Sequence, residues 1–555
     1  MDDGEDDNVG ISRQAAGNLQ DWADGILSAS KVQFHMNNAV LDKQTHPMIE
    51  RLAEVGPGQN ALIGMRTLFR RLGFYDLQTE VQCDQVTSML LPSTLARILN
   101  RDYPREFRAR LCADCDKLRS FWSTFLSRPR TREWADRHPD LRDKQVADLV
   151  CTIPCVLHTD AGPCTKSAAC NCISWSALLG EGSEKLTKFL ICSHLKPTGT
   201  PNLTDRPCWE RILADFDAMA SEGLLVGRRR WRLVLMAVKC DEEVRCNEFG
   251  LAHYNSNECC SECMADRATR PYTDLTADAR WRRSEGLPVE AWLTRIRDTP
   301  EAPLHPLAGS RYCCDPCFFY LDLMHCVDCK GVSAGVFGGV LALLVRKREA
   351  GANQEDRLRS VNTFLRNWYQ QRPGWHRLPW IFAKNLTLGN GWADLHGQTF
   401  KAANTRAAAP AFRDLARHFF RTGSDEDVSV RAVTAHLASF YRVVYTASMF
   451  PTDTEVADLR RESIACGVAF MRLRELSRLR HLMAFNTVPK VHKMQHFAYF
   501  ATALNPRFIQ CYAEESLIGT VAKIWKSSMS GRYQRHVQSD VLLKKTIALF
   551  LRFEV

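Results

Sequence analysis

Residues 231–263 read WRLVLMAVKCDEEVRCNEFGLAHYNSNECCSEC. Leu233-Val234-Leu235-Met236-Ala237-Val238 is a short, branched, apolar run between charged residues, the pattern of a buried strand. It ends at Cys240, and an acid, Asp241, follows at once. A carboxylate at the tip of a buried strand is held rigidly and still meets solvent. Nineteen residues later (260 − 241) comes Cys260-Ser261-Glu262-Cys263, two thiols at metal-ligand spacing. One acid and one thiol pair do not make a site, so both need partners from elsewhere in the chain.

Upstream, three more strand candidates stand at Val150–Leu157, Asn171–Leu178 and Lys188–Leu195. An amphipathic helix follows at Pro207–Leu224, with Trp209, Ile212, Leu213, Phe216, Met219 and Ala220 on one face. The order is three strands, a helix and a fourth strand, which predicts an α/β unit. The first strand is followed by His158-Thr159-Asp160, so the first and fourth both lead to an acid, 81 residues apart (241 − 160). Residues 11–145 have helical spacing. The acidic residues 1–10 are expected to be disordered, and the charged stretch Ser127–Lys144 is expected to be a connector. Cys112 and Cys115 form a further CxxC without a matching pair nearby, and read as ordinary helix cysteines.

Downstream of Cys263 the helical pattern returns. Helices are expected at Gln354–Gln370, Ala409–Arg421, Val428–Ser448 and Thr454–Arg478. Gly331–Val345 is apolar but shorter than the roughly 18 residues that span a bilayer, and reads as a buried core helix. Next come Pro489-Lys490-Val491-His492-Lys493-Met494-Gln495-His496, then Gln510–Gly519, which opens a helix with Val521, Ile524 and Trp525 on its apolar face.

Composition bounds the function classes. The chain has 555 residues, 45% hydrophobic and 25% charged, the balance of an ordinary globular protein of two to four domains. A net charge of +10 permits nucleic-acid binding without requiring it. The opening MDDGEDDNVG has no secretory pattern, so the 22 cysteines are expected in a reduced, intracellular compartment, as core residues or metal ligands, with no membrane partner.

Carboxylates from different elements that meet at one sheet edge can hold two divalent cations about 3.5–4 Å apart for phosphoryl transfer. Asp160 and Asp241 fit if their strands are neighbours, and Glu515 or Glu514 would supply the third acid. Each alone also fits a turn acid or a helix-start acid. His492 and His496 stand four apart and share a helix face. With Cys260 and Cys263 they would complete a tetrahedral Cys₂His₂ zinc site. Such a site would draw the third acid back toward the first two, because Glu515 follows His496 by nineteen residues (515 − 496). A rival zinc set is Cys314, Cys317, Cys326 and Cys329.

In their order and spacing, His158-Thr-Asp160-Ala-Gly-Pro, Asp241, Cys260–Cys263, Phe319-Tyr-Leu-Asp322-Leu-Met-His325 and Cys511-Tyr-Ala-Glu514-Glu515-Ser-Leu-Ile-Gly resemble the DDE transposases of the CACTA (En/Spm-like) group and their relatives, over about residues 150–530. The family's late motif often reads Glu-Arg where this chain has Glu515-Ser516, which keeps Glu514 open as the alternative.

The resemblance implies an RNase H-like catalytic core interrupted by a large all-helical insertion. On this reading residues 1–145 form a mainly helical N-terminal region and 146–265 the first part of the core. Residues 266–504 form the insertion, 505–530 the core helix bearing the third acid, and 531–555 a basic C-terminal helix. It also implies a nuclear DNA transposase using Mg²⁺ or Mn²⁺ at Asp160, Asp241 and Glu515, with structural Zn²⁺. Element-end and target DNA would be partners, in a possible homo-oligomer. Arg228, Arg229, Arg230, the Arg346-Lys347-Arg348 run, Lys523, Lys526, Arg532 and Arg535 are candidates for contacts to the DNA backbone, or else a solvated face. Two alternatives are a catalytically inactive DNA-binding scaffold and a purely hydrolytic nuclease of the same fold. The roles of Asp322 and His325 stay open.

Overall fold

The computed structural model describes residues 13–41, 47–55, 61–83, 86–165, 168–197, 205–253, 255–297, 304–328, 330–387, 391–395, 400–529 and 534–554. Its strands are β1 (Thr79–Gln82), β2 (Val86–Met89), β3 (Thr152–Pro163), β4 (Ala168–Ala177), β5 (Phe189–Pro197), β6 (Leu224–Val226), β7 (Arg229–Lys239) and β8 (Phe319–Tyr320). β1 and β2 form a separate hairpin. The other six make one mixed sheet in the order β5-β4-β3-β7-β6, with β8 also on β7. β3, β4 and β5 are antiparallel neighbours, whereas β7 runs parallel to β3 and β8 parallel to β7. A parallel neighbour needs a crossover, and the Arg206–Ser221 helix supplies it, packing on β7.

All four expected strands stand in this sheet, and the expected amphipathic helix packs on it. β3 and β7 are buried on both faces over most of their length, which explains their nearly unbroken apolar reading. The ends differ by a few residues, the helix stopping at Ser221 so that Leu224 enters β6, and one difference bears on the site. β3 continues to Pro163 because β4 pairs with it that far, so Asp160 lies within the strand, opposite Cys172, rather than after it.

The expected connector at 127–144 is instead packed structure. Pro129–Arg137 is a helix with Trp134 and Ala135 fully buried. Its Arg130 and Arg137 both donate to the buried carboxylate of Asp315, with Arg130 Nη1 at 3.0 Å from Oδ2. These charges turn inward onto one acid, a destination that composition does not encode.

The later helices, Val332–Leu344, Gln354–Gln370, Ala402–Phe419, Asp425–Thr446 and Asp453–Leu479, stand where expected, though the third begins seven residues early (409 − 402) and carries Pro410 inside it. Met324–Leu344 is long and apolar enough to cross a membrane, yet 88% of its most apolar window is buried inside the fold.

One hydrophobic core runs from the sheet through these helices. A second joins Trp22, Val32, Met36, Met65 and Phe69 to Leu543, Ile547 and Leu551 of the last helix, Gln534–Glu554. Residues 13–71 therefore pack mainly on the C-terminal helix, while residues from Met89 onward join the main core. Residues 1–10 lie outside the described residues.

The Tyr512–Ser528 helix lies across β3 and β4. Its close approach occurs at Gly162 of β3, where a Cβ would run into the side chain of Ile518. Gly519, the small residue in that helix, faces open space.

Candidate active site and metal centre

In the β3–β7 register His158 is level with Lys239. Two residues further along each chain stand Asp160 and Asp241. In the β7–β8 register Lys239 is level with Tyr320, and two residues further stands Asp322. Three neighbouring parallel strands thus deliver three acids to one edge of the sheet. The Tyr512–Ser528 helix adds Glu515, and single ligand atoms of Asp160, His325 and Glu515 lie within 4.8 Å of one another.

Asp160 is buried, and its carboxyl is pushed well above the usual carboxylate range by that burial and by the charges of Asp241 and Glu515. Burial also raises Asp241, although its Oδ1 accepts from Val244 N at 2.8 Å and caps the Glu242–Asn247 helix. Asp241 thus caps a helix while standing beside Asp160 at the sheet edge. Burial works against the charged form of Glu515 as well, but hydrogen bonds with His325 and Asp160 hold its carboxyl below the ordinary value.

Glu514 has a different place. It is fully buried and pairs with Lys239 of β7 at 2.5 Å and with Lys188 at 3.1 Å. Burial opposes its charge, yet the two lysines hold its carboxyl far below the normal range. Of the two neighbouring glutamates, Glu515 meets the acids and Glu514 neutralises buried lysines.

Asp322 and His325 belong to the same site. Asp322 is buried; its Oδ2 faces His325 Nδ1 at 2.7 Å and accepts from the His325 N–H at 2.8 Å. Its Oδ1 accepts from Cys511 N at 2.8 Å, which fastens the start of the glutamate helix to the end of β8. His325 Nε2 then reaches Glu515 Oε1 at 3.4 Å. Burial works against the imidazolium, but Asp322 and Glu515 raise its pKa well above that of a free histidine. His325 sits in a π-helical turn, Met324–Asp328, a distortion that often marks functional sites. The Asp322-Leu-Met-His325 spacing was visible in the sequence, but nothing there tied Asp322 to Cys511 or His325 to Glu515. His158, on the same strand as Asp160, is buried, with both ring nitrogens lacking a hydrogen-bond partner; burial lowers its pKa to about 4 and leaves it neutral.

Cys260, Cys263, His492 and His496 converge as one buried group able to hold a metal ion, with ligand atoms all within 4.8 Å of one another. Cys260 Sγ stands 3.4 Å from His496 Nε2, Cys263 Sγ 3.4 Å from His492 Nε2, and the two Nε2 atoms 3.0 Å apart. His496 Nδ1 faces Glu285 Oε1 at 3.3 Å, a partner that orients the ring. Trp281 lies edge-on to His492 at 4.2 Å.

A buried charge network joins this centre to the acids. Lys493, beside His492, pairs with Glu242, the neighbour of Asp241, and lies 3.9 Å from Glu262, which stands between the two cysteines. Arg245 contacts both glutamates, Glu242 at 2.9 Å.

The rival cysteine set does not assemble among the described residues. Cys317 lies near Arg130, Cys326 donates to Lys490 O at 3.4 Å, and Cys329 is outside the described residues. Cys115 faces Cys151 at 3.5 Å.

The basic candidates separate. Arg229 begins β7, twelve residues before Asp241 (241 − 229), so the Arg228–Arg230 run stands roughly 40 Å away at the other end of the strand. Lys347 pairs with Asp427 at 2.7 Å. Lys523 and Lys526 are exposed on the Glu515 helix. Lys526, eleven residues on, shares the face of Glu515 after about three turns. Arg532 is outside the described residues, as is the side chain of Arg535. Sequence reasoning passed over Lys330, Lys490 and Lys493, which line a cavity of about 650 Å³ together with Asp241, Glu243 and His325.

No protein-family model matches this chain, and none of the curated proteins matches it.

Proposed function

We propose that the chain is a metal-dependent DNA transposase, or a protein derived from one. Asp160, Asp241 and Glu515 would act as its carboxylate triad, cutting one strand at an element end so that the freed 3′-hydroxyl attacks target DNA. One observation carries the reading. Asp160 and Glu515, 355 residues apart (515 − 160), bring ligand atoms within 4.8 Å of each other, and Asp241 follows the strand next to that of Asp160, lining a cavity that also presents lysines. The strand order, three antiparallel strands followed by a parallel neighbour after a helical crossover, supports an RNase H-like core interrupted by helices of residues 266–504.

The residues suit the ions this reading implies. Asp160, Asp241 and Glu515 offer hard oxygen donors. The raised Asp160 and Asp241 carboxyls are those of an acid cluster short of positive charge. A bound Mg²⁺ or Mn²⁺ supplies Lewis-acid activation of the attacking and leaving oxygens. Asp322 fixes His325, and His325 positions Glu515 by hydrogen bonding. Lys330 and Lys490 favour phosphate at the cavity, whereas Lys493 is held by Glu242. At the second centre, Zn–N bonds of about 2.0–2.1 Å and Zn–S bonds of about 2.3 Å make tetrahedral edges of roughly 3.3–3.8 Å. The N–S edge alone is roughly 3.5–3.6 Å and the N–N edge roughly 3.3–3.4 Å, so the N–S separations of 3.4 Å and the N–N separation of 3.0 Å lie close below the metal-bound edges. Cys260, Cys263, His492 and His496 would therefore hold zinc. The reading entails a nuclear protein acting on element-end and target DNA, as a homo-oligomer where two ends are joined.

The test is nicking and strand transfer on labelled DNA carrying the sequences that flank the coding region, with Mn²⁺ or Mg²⁺. Glu515→Gln should reduce nicking about a thousandfold or more while leaving DNA binding intact. Joining of the cut end to a second duplex separates a transposase from a hydrolytic nuclease. Robust nicking untouched by both Glu515→Gln and Asp160→Asn would sink the proposal.

A further inference from the structure

A second cavity, of about 500 Å³, opens between the Ala402–Phe419 and Asp425–Thr446 helices and the turn at Gly374–His376. Its lining includes Trp375, Arg406, Arg413, Tyr441, Arg442 and Tyr445, and no acid. We propose that this cavity binds a nucleotide, its base against the aromatic rings and its phosphate among the arginines.

Three observations carry this. First, the aromatic surface is available. Trp375 is 43% exposed although its indole N–H is already satisfied by Ala407 O at 2.7 Å. The ring is thereby fixed with surface left open, and every base has a π-face to stack on such a ring. Second, the charge is arranged in advance. The Arg406 guanidinium lies over the rings of Tyr445 and Tyr512, at 4.7 and 4.5 Å, and donates to Tyr445 Oη at 2.7 Å. Arg442 is exposed at the rim. Arg413 is paired with Asp414 at 3.0 Å, so Arg406 and the exposed Arg442 carry the positive charge that selects an anion, and the flanking rings select a flat aromatic one. Third, the cavity is wired to the acids. Tyr441 in its wall donates to Asp328 Oδ1, and Tyr512 donates to Asp328 Oδ2 at 2.5 Å. Tyr512 and Asp328 each stand three residues from a residue of the acid site, Glu515 and His325 respectively. Tyr445 Oη also donates to Gln510 Oε1 at 2.8 Å, at the start of the glutamate helix.

The same chemistry is offered by an unpaired nucleotide in a DNA strand and by a free mononucleotide. The strand source rests on the DNA reading above; the mononucleotide source does not. The experiment uses the full chain and two probes: fluorescent AMP, read by anisotropy, and a duplex with a short single-stranded tail carrying 2-aminopurine, read by fluorescence quenching. Saturable binding of either probe, weakened about tenfold by Trp375→Ala and by Arg442→Ala and retained by Trp375→Phe, supports the site. Both residues are exposed, and an unchanged melting temperature excludes unfolding as the cause. Binding of the tail alone assigns the cavity to the strand, and binding of AMP alone assigns it to free nucleotide. If the wild type binds neither probe saturably, or the two alanine variants bind as it does, the inference is overturned, whatever the outcome of the nicking assay.

Discussion

Asp160, within β3, and Asp241, just past the end of the parallel neighbour β7, each stand two residues beyond the paired His158 and Lys239. Burial of Asp160 itself, with the like charges of Asp241 and Glu515 brought close, holds its carboxyl well above its ordinary range. The Asp160 carboxyl therefore resists ionisation.

That resistance has a sign. A raised carboxyl pKa in the folded state means the fold binds the proton more tightly than the unfolded chain does. Its stabilising effect is present at low pH and is lost as pH rises through the folded pKa. Metal-free protein should therefore lose stability from mildly acidic to neutral pH, and Mn²⁺ should restore it while displacing protons. Asp160→Asn removes the charge and should raise the metal-free melting temperature at pH 7.5 by a few degrees. Calorimetry of Mn²⁺ binding in buffers of different ionisation enthalpy reads the proton release. A metal-binding heat independent of buffer, with no gain in Asp160→Asn, would contradict this account.

Glu514 and Glu515 should separate by phenotype. Glu515→Gln should fold normally and lose nicking. Glu514→Gln leaves Lys239 and Lys188 buried with their shared counter-charge gone, at a cost of about 3–5 kcal/mol. Its defect should appear in denaturant unfolding. A Glu514→Gln protein as stable as wild type would show that the lysines are compensated elsewhere.

Much of this site was legible in the sequence, for identifiable reasons. The strands behind Asp160 and Asp241 are central and buried, so their apolar runs are unbroken. The zinc-type ligands carry local spacing signatures, CxxC and an i,i+4 histidine pair. What stayed hidden has no local signature. The choice between the two glutamates depended on Lys188 and Lys239, far away in the chain. The inward turn of Arg130 and Arg137 depended on Asp315. β8 is two residues long and owes its existence to the edge of β7 rather than to its own pattern. The close approach of the glutamate helix to β3 is at Gly162, because a glycine within a strand is read as a weak strand former before its neighbour across the interface is known.

The Cys₂His₂ centre should bind about one zinc per chain, measured by elemental analysis of purified protein. Cys260→Ser should lose it. Because Lys493 and Glu262 link this centre to Glu242 beside Asp241, zinc removal by a chelator should also weaken Mn²⁺ binding, read by calorimetry. Zinc content unchanged by Cys260→Ser would place the ion elsewhere. Unchanged Mn²⁺ affinity in zinc-free protein would show that the charge network does not transmit the loss.

The contact between Gly162 and Ile518 tests whether the glutamate helix is positioned by packing. The added methyl of Gly162→Ala meets the Ile518 Cγ2 methyl, in a wall formed by β3 and the helix itself. If the helix yields, Glu515, three residues before Ile518, moves; if β3 yields, Asp160, two residues before Gly162, moves. Overpacking of this kind costs about 1–3 kcal/mol, and the displacement should cut Mn²⁺ affinity and nicking even where the protein still folds. Ile518→Ala removes the obstructing methyl. Alone it opens a cavity and destabilises by about 2–5 kcal/mol, but it leaves the helix free to sit against β3. The double variant should therefore bind Mn²⁺ better than Gly162→Ala, despite carrying two damaging substitutions. A double variant whose metal affinity is no better than that of Gly162→Ala would mean that the helix is held by its other partners, chiefly the Cys511–Asp322 hydrogen bond and the Glu514 lysine pairs.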